Sequence, residues 1–257
     1  MKLISLNLWG GRVYNKLLPF LKEMAKEIDI FCFQEVLAKD HYISHEAAEL
    51  KKRHSGVELE EVPDLYSELK STLIGFESFL ASPLGSGGER QAIFFKQHVL
   101  INENGIYPTV SKPFEVKLEN EIFSLSSAIQ YVKIKPNLTI MNIHGLWQGG
   151  GKEDTPERMY QSQRIVEFLS ATNGKKVLVG DFNLLPDTRS IRAIEDAGML
   201  NLIRINNIQS TRSSFYARAS KGKFADYAFV SKDVKVEEFR VLQDEISDHL
   251  PLYLNFS

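Results

Sequence analysis

Residues capable of chemistry recur in short polar motifs along this chain. Asn7 follows Leu3-Ile4-Ser5-Leu6. Gln34-Glu35 follows Ile28 to Phe33. Asn142-Ile143-His144 closes an apolar run from Leu138, and Gly180-Asp181-Phe182-Asn183 closes Val177 to Val179. Asp226-Tyr227 opens Ala225 to Val230, and Ser247-Asp248-His249 precedes Leu250 to Phe256. Carboxylates, side-chain amides and imidazoles are the groups that phosphoester hydrolysis needs. Oxygen ligands hold a hard cation against the phosphoryl oxygens, a base takes a proton from water, and an acid supplies the leaving group. Taken alone, Gly-Asp-x-Asn reads as a polar turn, Glu35 as a solvated strand-end acid and His144 as a hydrogen-bonded loop histidine. The chain shows no Cys/His cluster at zinc spacing, no phosphate-cradling P-loop and no Gly-x-Ser-x-Gly nucleophile elbow.

Strands and helices must bring these motifs together. Leu3 to Leu8 reads as a first strand. Leu17, Leu18, Leu21, Met24, Ala25 and Ile28 recur at spacings of three and four, which predicts a helix. Ile28 to Phe33 reads as a second, fully buried strand. This β-helix-β order implies neighbouring parallel strands, with Asn7 and Glu35 at one sheet edge. Ligand sites in open α/β sheets form at such carboxyl ends. Further on, a helix is expected from Asp40 to His54, an acidic surface loop from Ser55 to Glu68 and a strand from Thr72 to Leu80. A turn follows at Pro83 to Gly88 and a strand at Glu89 to Phe95. The runs 101–107, 114–118, 122–134 and 138–143 then read as neighbours in an antiparallel meander. Thr155 as N-cap and Pro156 as first helical residue predict a helix to Ser170. The Val177 strand, a helix over 189–197 and strands at 200–205, 225–230, 234–241 and 250–256 complete the chain.

Composition bounds the class. The 257 residues are 43% hydrophobic and 25% charged, with a net charge of -2, as expected of a globular protein with a full core. No basic excess is present, so polyanion binding would rest on a local patch or on bound metal. The one cysteine, Cys32, is expected to be buried and rules out an intrachain disulfide. No charged segment followed by a short apolar run opens the chain, and no apolar run reaches membrane length. A cytoplasmic protein of one domain over 1–257, with no obligate protein partner, is the expectation.

The order Asn7, Gln34-Glu35, Asn142-x-His144, Gly180-Asp181-Phe182-Asn183, Asp226-Tyr227, Ser247-Asp248-His249 resembles the endonuclease/exonuclease/phosphatase, or DNase I-like, superfamily across residues 7 to 249. The resemblance implies an α/β four-layer sandwich, with two mixed sheets face to face and helices outside, and a Mg²⁺- or Mn²⁺-dependent phosphoesterase. It implies that Asn7, Glu35, Asp181 and Asp248 hold the metal. Asp181 and Asn183 would position water and phosphate. His249, oriented by Asp226, would be base or electrophile. His144 would be an acid or phosphate-oxygen donor, with Glu89 in the place of a glutamate that pairs with it in pancreatic-type DNases. Those DNases carry an arginine two residues after the metal glutamate, where this chain has Leu37. Abasic-site endonucleases carry an aspartate two residues after the first asparagine, where this chain has Trp9. A phosphodiesterase on nucleic acid or a small diester is the leading expectation, with a phosphomonoesterase on a small metabolite or inositol-type phosphate as alternative. A non-catalytic binding module on the same fold ranks third. Trp147, beside His144, could touch substrate or pack on the following helix, and Arg158 and Arg164 read as solvated helix residues.

Overall fold

The structure is a computed structural model that describes residues 1–39, 61–83, 88–111, 113–118, 121–149, 151–216 and 222–257. Two six-stranded mixed sheets form its centre. The first contains β1 (Lys2–Asn7), β2 (Ile30–Val36), β3 (Phe76–Leu80), β4 (Arg90–Lys96), β13 (Val236–Val241) and β14 (Leu252–Phe256), in the order β13-β14-β1-β2-β4-β3. The second contains β5 (Ile101–Pro108), β8 (Ala128–Ile134), β9 (Leu138–His144), β10 (Lys175–Asp181), β11 (Leu200–Asn201) and β12 (Asp226–Val230), in the order β11-β12-β10-β9-β8-β5. Each sheet has one parallel pair at its heart, β1 with β2 and β9 with β10. β6 (Phe114–Leu118) and β7 (Glu121–Leu125) form a separate hairpin.

Strand alternation explains the layers. Successive side chains on a strand point to opposite faces. Leu3, Ile30, Cys32, Ile93 and Phe95 face the second sheet and share a core with Ile129, Ile140, Val177 and Val179. Their neighbours Ile4, Leu6, Phe31, Phe33 and Phe94 face the other way, onto Leu17 and Leu21 of α1 (Tyr14–Met24) and Leu65 and Leu69 of α2 (Leu65–Thr72). α3 (Pro156–Ala171) and α4 (Arg189–Asp196) cover the second sheet with Ile165, Leu169, Ile191 and Ile194. The result is the four-layer α/β sandwich, and Cys32 is buried in it. No helix among the described residues is long and apolar enough to cross a membrane.

Several local expectations are corrected. The expected meander is interrupted: β5, β8 and β9 are antiparallel neighbours in the second sheet, while β6 and β7 form a hairpin outside it. The run 122–134 is broken at Ser126-Ser127 into β7 and β8. Helix α2, with Asp64 accepting from the Ser67 N–H, occupies the end of the expected acidic loop and continues to Thr72, where a strand was expected. The strand expected over 200–205 stops at Asn201, whose side chain accepts the N–H groups of Ile203 and Arg204 and so starts the short helix α5 (Leu202–Ile205). The helix over 40–54 and most of the turn over 83–88 lie outside the described residues.

A buried amide network locks the two sheets. Gln34 of β2 donates to Asn142 Oδ1 of β9 (2.6 Å), and Asn142 Nδ2 donates back to the Phe33 carbonyl (2.9 Å) and to Gln130 of β8 (3.1 Å). Gln91 of β4 donates to the Asn142 carbonyl (2.7 Å). Asn142 therefore serves the frame and His144, two residues on, serves the site. Gly180 sits within β10 rather than past its end, at φ 138°. A Cβ there would lie 2.0 Å from the Ile143 carbonyl oxygen. Gly180→Ala is expected to destabilise the protein by about 2 kcal/mol or more, since strain and overlap coincide. Urea unfolding reads this directly, and an unchanged midpoint would show that β9 and β10 can separate at no cost.

Candidate active site

The parallel pairs of both sheets end at the same place. β1 and β2 deliver Asn7 and Glu35, while β9 and β10 deliver His144 and Asp181 in direct register. Asp226 starts β12 opposite Asp181. Ser247, Asp248 and His249 arrive on the loop before β14, where the Ser247 hydroxyl donates to the Asn7 carbonyl (2.7 Å) and ties that loop to β1. Trp9, Glu35 and Asn183 all have positive φ (51°, 53° and 54°). Such strained backbone in non-glycine residues gathers at functional sites. At Glu35 the pairing of β2 with β4 shifts register between Phe33 and Val36, which turns the carboxylate to the sheet end.

The side chains interlock. Asn7 Nδ2 donates to Glu35 Oε1 (2.9 Å) and to Asp181 Oδ2 (3.1 Å), so one amide joins carboxylates from two sheets. Asp181 Oδ1 accepts the Asn183 N–H (2.8 Å), and Asn183 Nδ2 donates to the Gly145 carbonyl (3.1 Å). His249 Nδ1 faces both oxygens of Asp226 (2.8 and 2.9 Å), which fixes the proton on Nδ1 and the lone pair on Nε2. That Nε2 is 3.5 Å from Asp181 Oδ2 and 3.7 Å from Asp248 Oδ1. His144 Nε2 is 3.7 Å from Glu35 Oε1 and 3.9 Å from Asp181 Oδ2. Glu89 precedes β4 and acts on the same centre through its charge on Glu35, and His144 has Glu35 and Asp181 within ion-pair reach. Asn7, Glu35, His144, Asp181, Asn183, Asp226, Asp248 and His249 are thus gathered at one site.

Burial and neighbouring charge set protonation. Burial and the charge of Glu89 push Glu35 up to about 7, with His144 and Asn7 opposing. Burial pushes Asp226 up to about 6 against the pull of Arg212. Burial and Arg212 together push His249 down to about 3, so its imidazole is neutral at pH 7. Burial and Arg212 push Lys152 down to about 8.

Three basic residues had no signal in the sequence. Arg212 Nη1 donates to Asp248 Oδ2 (2.8 Å) and contacts His249 Nε2. Lys152 is buried and donates to the Phe224 carbonyl (2.7 Å). Arg158, expected to be solvated, is 1% exposed and gathers the carbonyls of Leu146, Gly151 and Glu153, which holds the loop after His144 in shape. A single arginine or lysine in a polar loop has no periodicity to betray its direction. Trp9 and Trp147 are half-buried, and Phe182 is core.

The donor set suits a hard divalent cation. Carboxylate oxygens of Glu35 and Asp181 meet at Asn7 Nδ2, while the Asn7 oxygen accepts the Trp9 N–H, and Asp248 Oδ1 is buried with no hydrogen-bond partner among the described residues. Ligand atoms of Asp181, Asp226 and His249 also lie within 4.8 Å of one another. Glu35 titrates higher folded than unfolded, so the metal-free protein loses stability as pH rises from about 4.5 through about 7. Glu35→Gln is expected to stabilise the metal-free protein at pH 7.5 by on the order of 1–2 kcal/mol. That advantage disappears near pH 4.5. Millimolar Mg²⁺ stabilises the wild type and not the variant. Melting curves across pH with and without Mg²⁺ test this, and a difference independent of pH would place the charge on another group.

Solved structures share the architecture. An endonuclease/exonuclease/phosphatase family protein from Bacteroides thetaiotaomicron superposes with a TM-score of 0.69 at 18% identity, over 100% of this chain and 94% of that one. A mannosyl-6-phosphatase from the same organism gives 0.70 at 17%, over 100% and 99%. An AP endonuclease from Archaeoglobus fulgidus gives 0.63 at 18%, over 100% and 99%. No curated protein matches the chain by sequence. The family model described as Endonuclease/Exonuclease/phosphatase family matches residues 4–249, a span that holds every residue of the site. Members of that family hydrolyse phosphoester bonds, generally with a divalent metal ion. The chain belongs to the endonuclease/exonuclease/phosphatase family.

Proposed function

We propose that residues 1–257 act as one catalytic domain that hydrolyses phosphodiesters, in nucleic acid or a nucleotide-like molecule, by attack of water with Mg²⁺ or Mn²⁺ bound. The observation that carries this reading is His249, held by Asp226 on Nδ1 and facing Asp181 and Asp248 with Nε2. Asn7, Glu35, Asp181 and Asp248 would hold the metal. A bound divalent ion supplies charge neutralisation at the phosphoryl oxygens. Asp181 and Asn183 position the water. His249 Nε2 takes a proton from it as its oxygen bonds to phosphorus. The bond from phosphorus to the leaving oxygen breaks, and that oxygen takes a proton from His144, whose charged form has Glu35 and Asp181 within reach. The products are an alcohol and a phosphomonoester.

A second reading is a phosphomonoesterase. It is favoured by two buried cations, Arg212 and Lys152, beside the site, since a monoester presents more negative charge than a diester.

A panel of single- and double-stranded DNA, RNA, a chromogenic diester and a chromogenic monoester, each with Mg²⁺, Mn²⁺ or EDTA, tests both. Diester cleavage is expected with either metal and not with EDTA. His249→Ala and Asp181→Ala are each expected to lower kcat by about 100-fold or more. Phosphate release from the monoester alone would select the second reading, and metal-independent cleavage would sink both.

A further inference from the structure

Arg212 is built into the site more firmly than a surface arginine would be. It sits between α5 and β12, and its segment is laced to the Ser247–Leu250 loop. The Ser213 N–H donates to the Asp248 carbonyl, the Leu250 N–H donates to the Thr211 carbonyl, and Arg212 pairs with His249 as an isolated bridge. Ser210 Oγ accepts the Arg212 N–H (3.0 Å), and Thr211 Oγ1 accepts the N–H groups of Ala225 and Asp226. The backbone that carries the guanidinium is therefore fixed to the backbone that carries Asp226, Asp248 and His249.

The guanidinium itself is only partly satisfied. Its side chain is 7% exposed. One nitrogen, Nη1, serves both Asp248 Oδ2 and His249 Nε2. Buried Nε has no hydrogen-bond partner among the described residues. The plane rests on Tyr216, 4.3 Å from the ring centroid, and Lys152 Nζ lies 4.8 Å from the same centroid. An arginine fork offers parallel N–H donors that match two oxygens of a phosphoryl group, which a lone ammonium cannot do. Such a fork, stacked and desolvated beside the base and short of acceptors, has the makings of an anion subsite.

We propose that Arg212 is the phosphoryl-recognition residue of this site. Substrate oxygens take the guanidinium over from His249, and Nε2 is freed to accept a proton only when a phosphoryl group is in place. This rests on the phosphoester reading for its catalytic half, while the anion-binding half stands without turnover. In the absence of substrate, the Arg212–His249 contact keeps Nε2 covered.

Inorganic phosphate is the probe. In EDTA, millimolar phosphate is expected to raise the melting temperature of the wild type, and Arg212→Lys and Arg212→Met are expected to lose most of that shift. Lysine keeps the charge and removes the fork, so it separates geometry from electrostatics even if methionine folds poorly. On a cleaved ester, kcat/KM is expected to fall about 100-fold in both variants. Arg212→Ala is expected to regain activity with added guanidinium ion, a rescue that a purely structural arginine would not show. Phosphate protection lost in the variants of a wild type that cleaves no ester would keep the subsite and sink the hydrolase reading. A wild type that phosphate does not protect would overturn the proposal, as would variants that keep both phosphate protection and kcat/KM within about threefold of wild type.

Discussion

Repulsion between carboxylates at the junction of the two sheets is the constraint on which the site depends. Two like charges about 4 Å apart near a protein surface repel by about 4 kcal/mol. This chain brings Glu35, Asp181, Asp226 and Asp248 to one place and gives each its own donor. Asn7 serves Glu35 and Asp181, the Asn183 N–H serves Asp181, His249 serves Asp226, and Arg212 serves Asp248. Asn7 has the pivotal position, because its amide spans the interface between sheets. Glu35 is held up to about 7 by burial first and by the charge of Glu89 second, with a smaller push from Asp248. A group so placed gains from any cation that enters.

The frame answers the same constraint mechanically. Carboxylates that repel would drift apart on mobile loops. Here Glu35 and Asp181 sit on strands of the central parallel pairs, Asp226 starts β12, the loop of Asp248 is tied to β1 through Ser247, and the pairs are joined through a fully buried set of amides, Gln34, Gln91, Gln130 and Asn142. A connected set of buried polar groups specifies one packing of the sheets, although Gln34 Oε1 and Gln91 Oε1 find no hydrogen-bond partner among the described residues. Gly180 and Gly145 extend the argument to the backbone. Gly145 lies so close to Phe182 that a Cβ would approach the Phe182 carbonyl oxygen to 2.4 Å, and Asn183 Nδ2 reaches the Gly145 carbonyl across the same gap. The positive φ of Glu35 is held within β2, between β1 and β4, and that of Asn183 by its hydrogen bonds to Asp181 Oδ1 and the Gly145 carbonyl.

What was legible in the sequence divides along physical lines. Short β-branched and aromatic runs with polar ends, such as Ile28 to Phe33 and Val177 to Val179, are found as buried strands, since only a central strand can hide so much apolar surface on both faces. The site acids and histidines were legible because each follows or precedes such a run. Sheet membership was not legible. Strand β4 is followed closely by β5, yet they lie in different sheets, and nothing in 96–101 marks the change. The strand expected at 200–205 is apolar enough for either state, and the cap at Asn201 decided it. Arg158, Lys152 and Arg212 escaped because a long flexible cation takes its role from tertiary neighbours.

Two departures from the family pattern bear on substrate. Leu37 takes the place of an arginine that enters the minor groove in pancreatic-type DNases, and it is 1% exposed in the core with Leu65 and Leu69. The backbone there points the side chain at α1 and α2, away from solvent, so no groove contact can come from this position. Trp9 takes the place of an aspartate and, at positive φ, carries the Arg12 guanidinium 5.1 Å from its ring centroid. Arg12 is itself buried and paired with Glu61 (3.0 Å), so this position carries an aromatic ring in place of a carboxylate. Arg158 holds the carbonyls of Leu146 and Gly151 on either side of Trp147 in sequence, and Lys152 and Arg212 share the Tyr216 ring, at 4.8 and 4.3 Å from its centroid. A chain with a net charge of -2 can still attract a phosphate group if its cations converge on one concave point, because the local field and not the sum steers an anion.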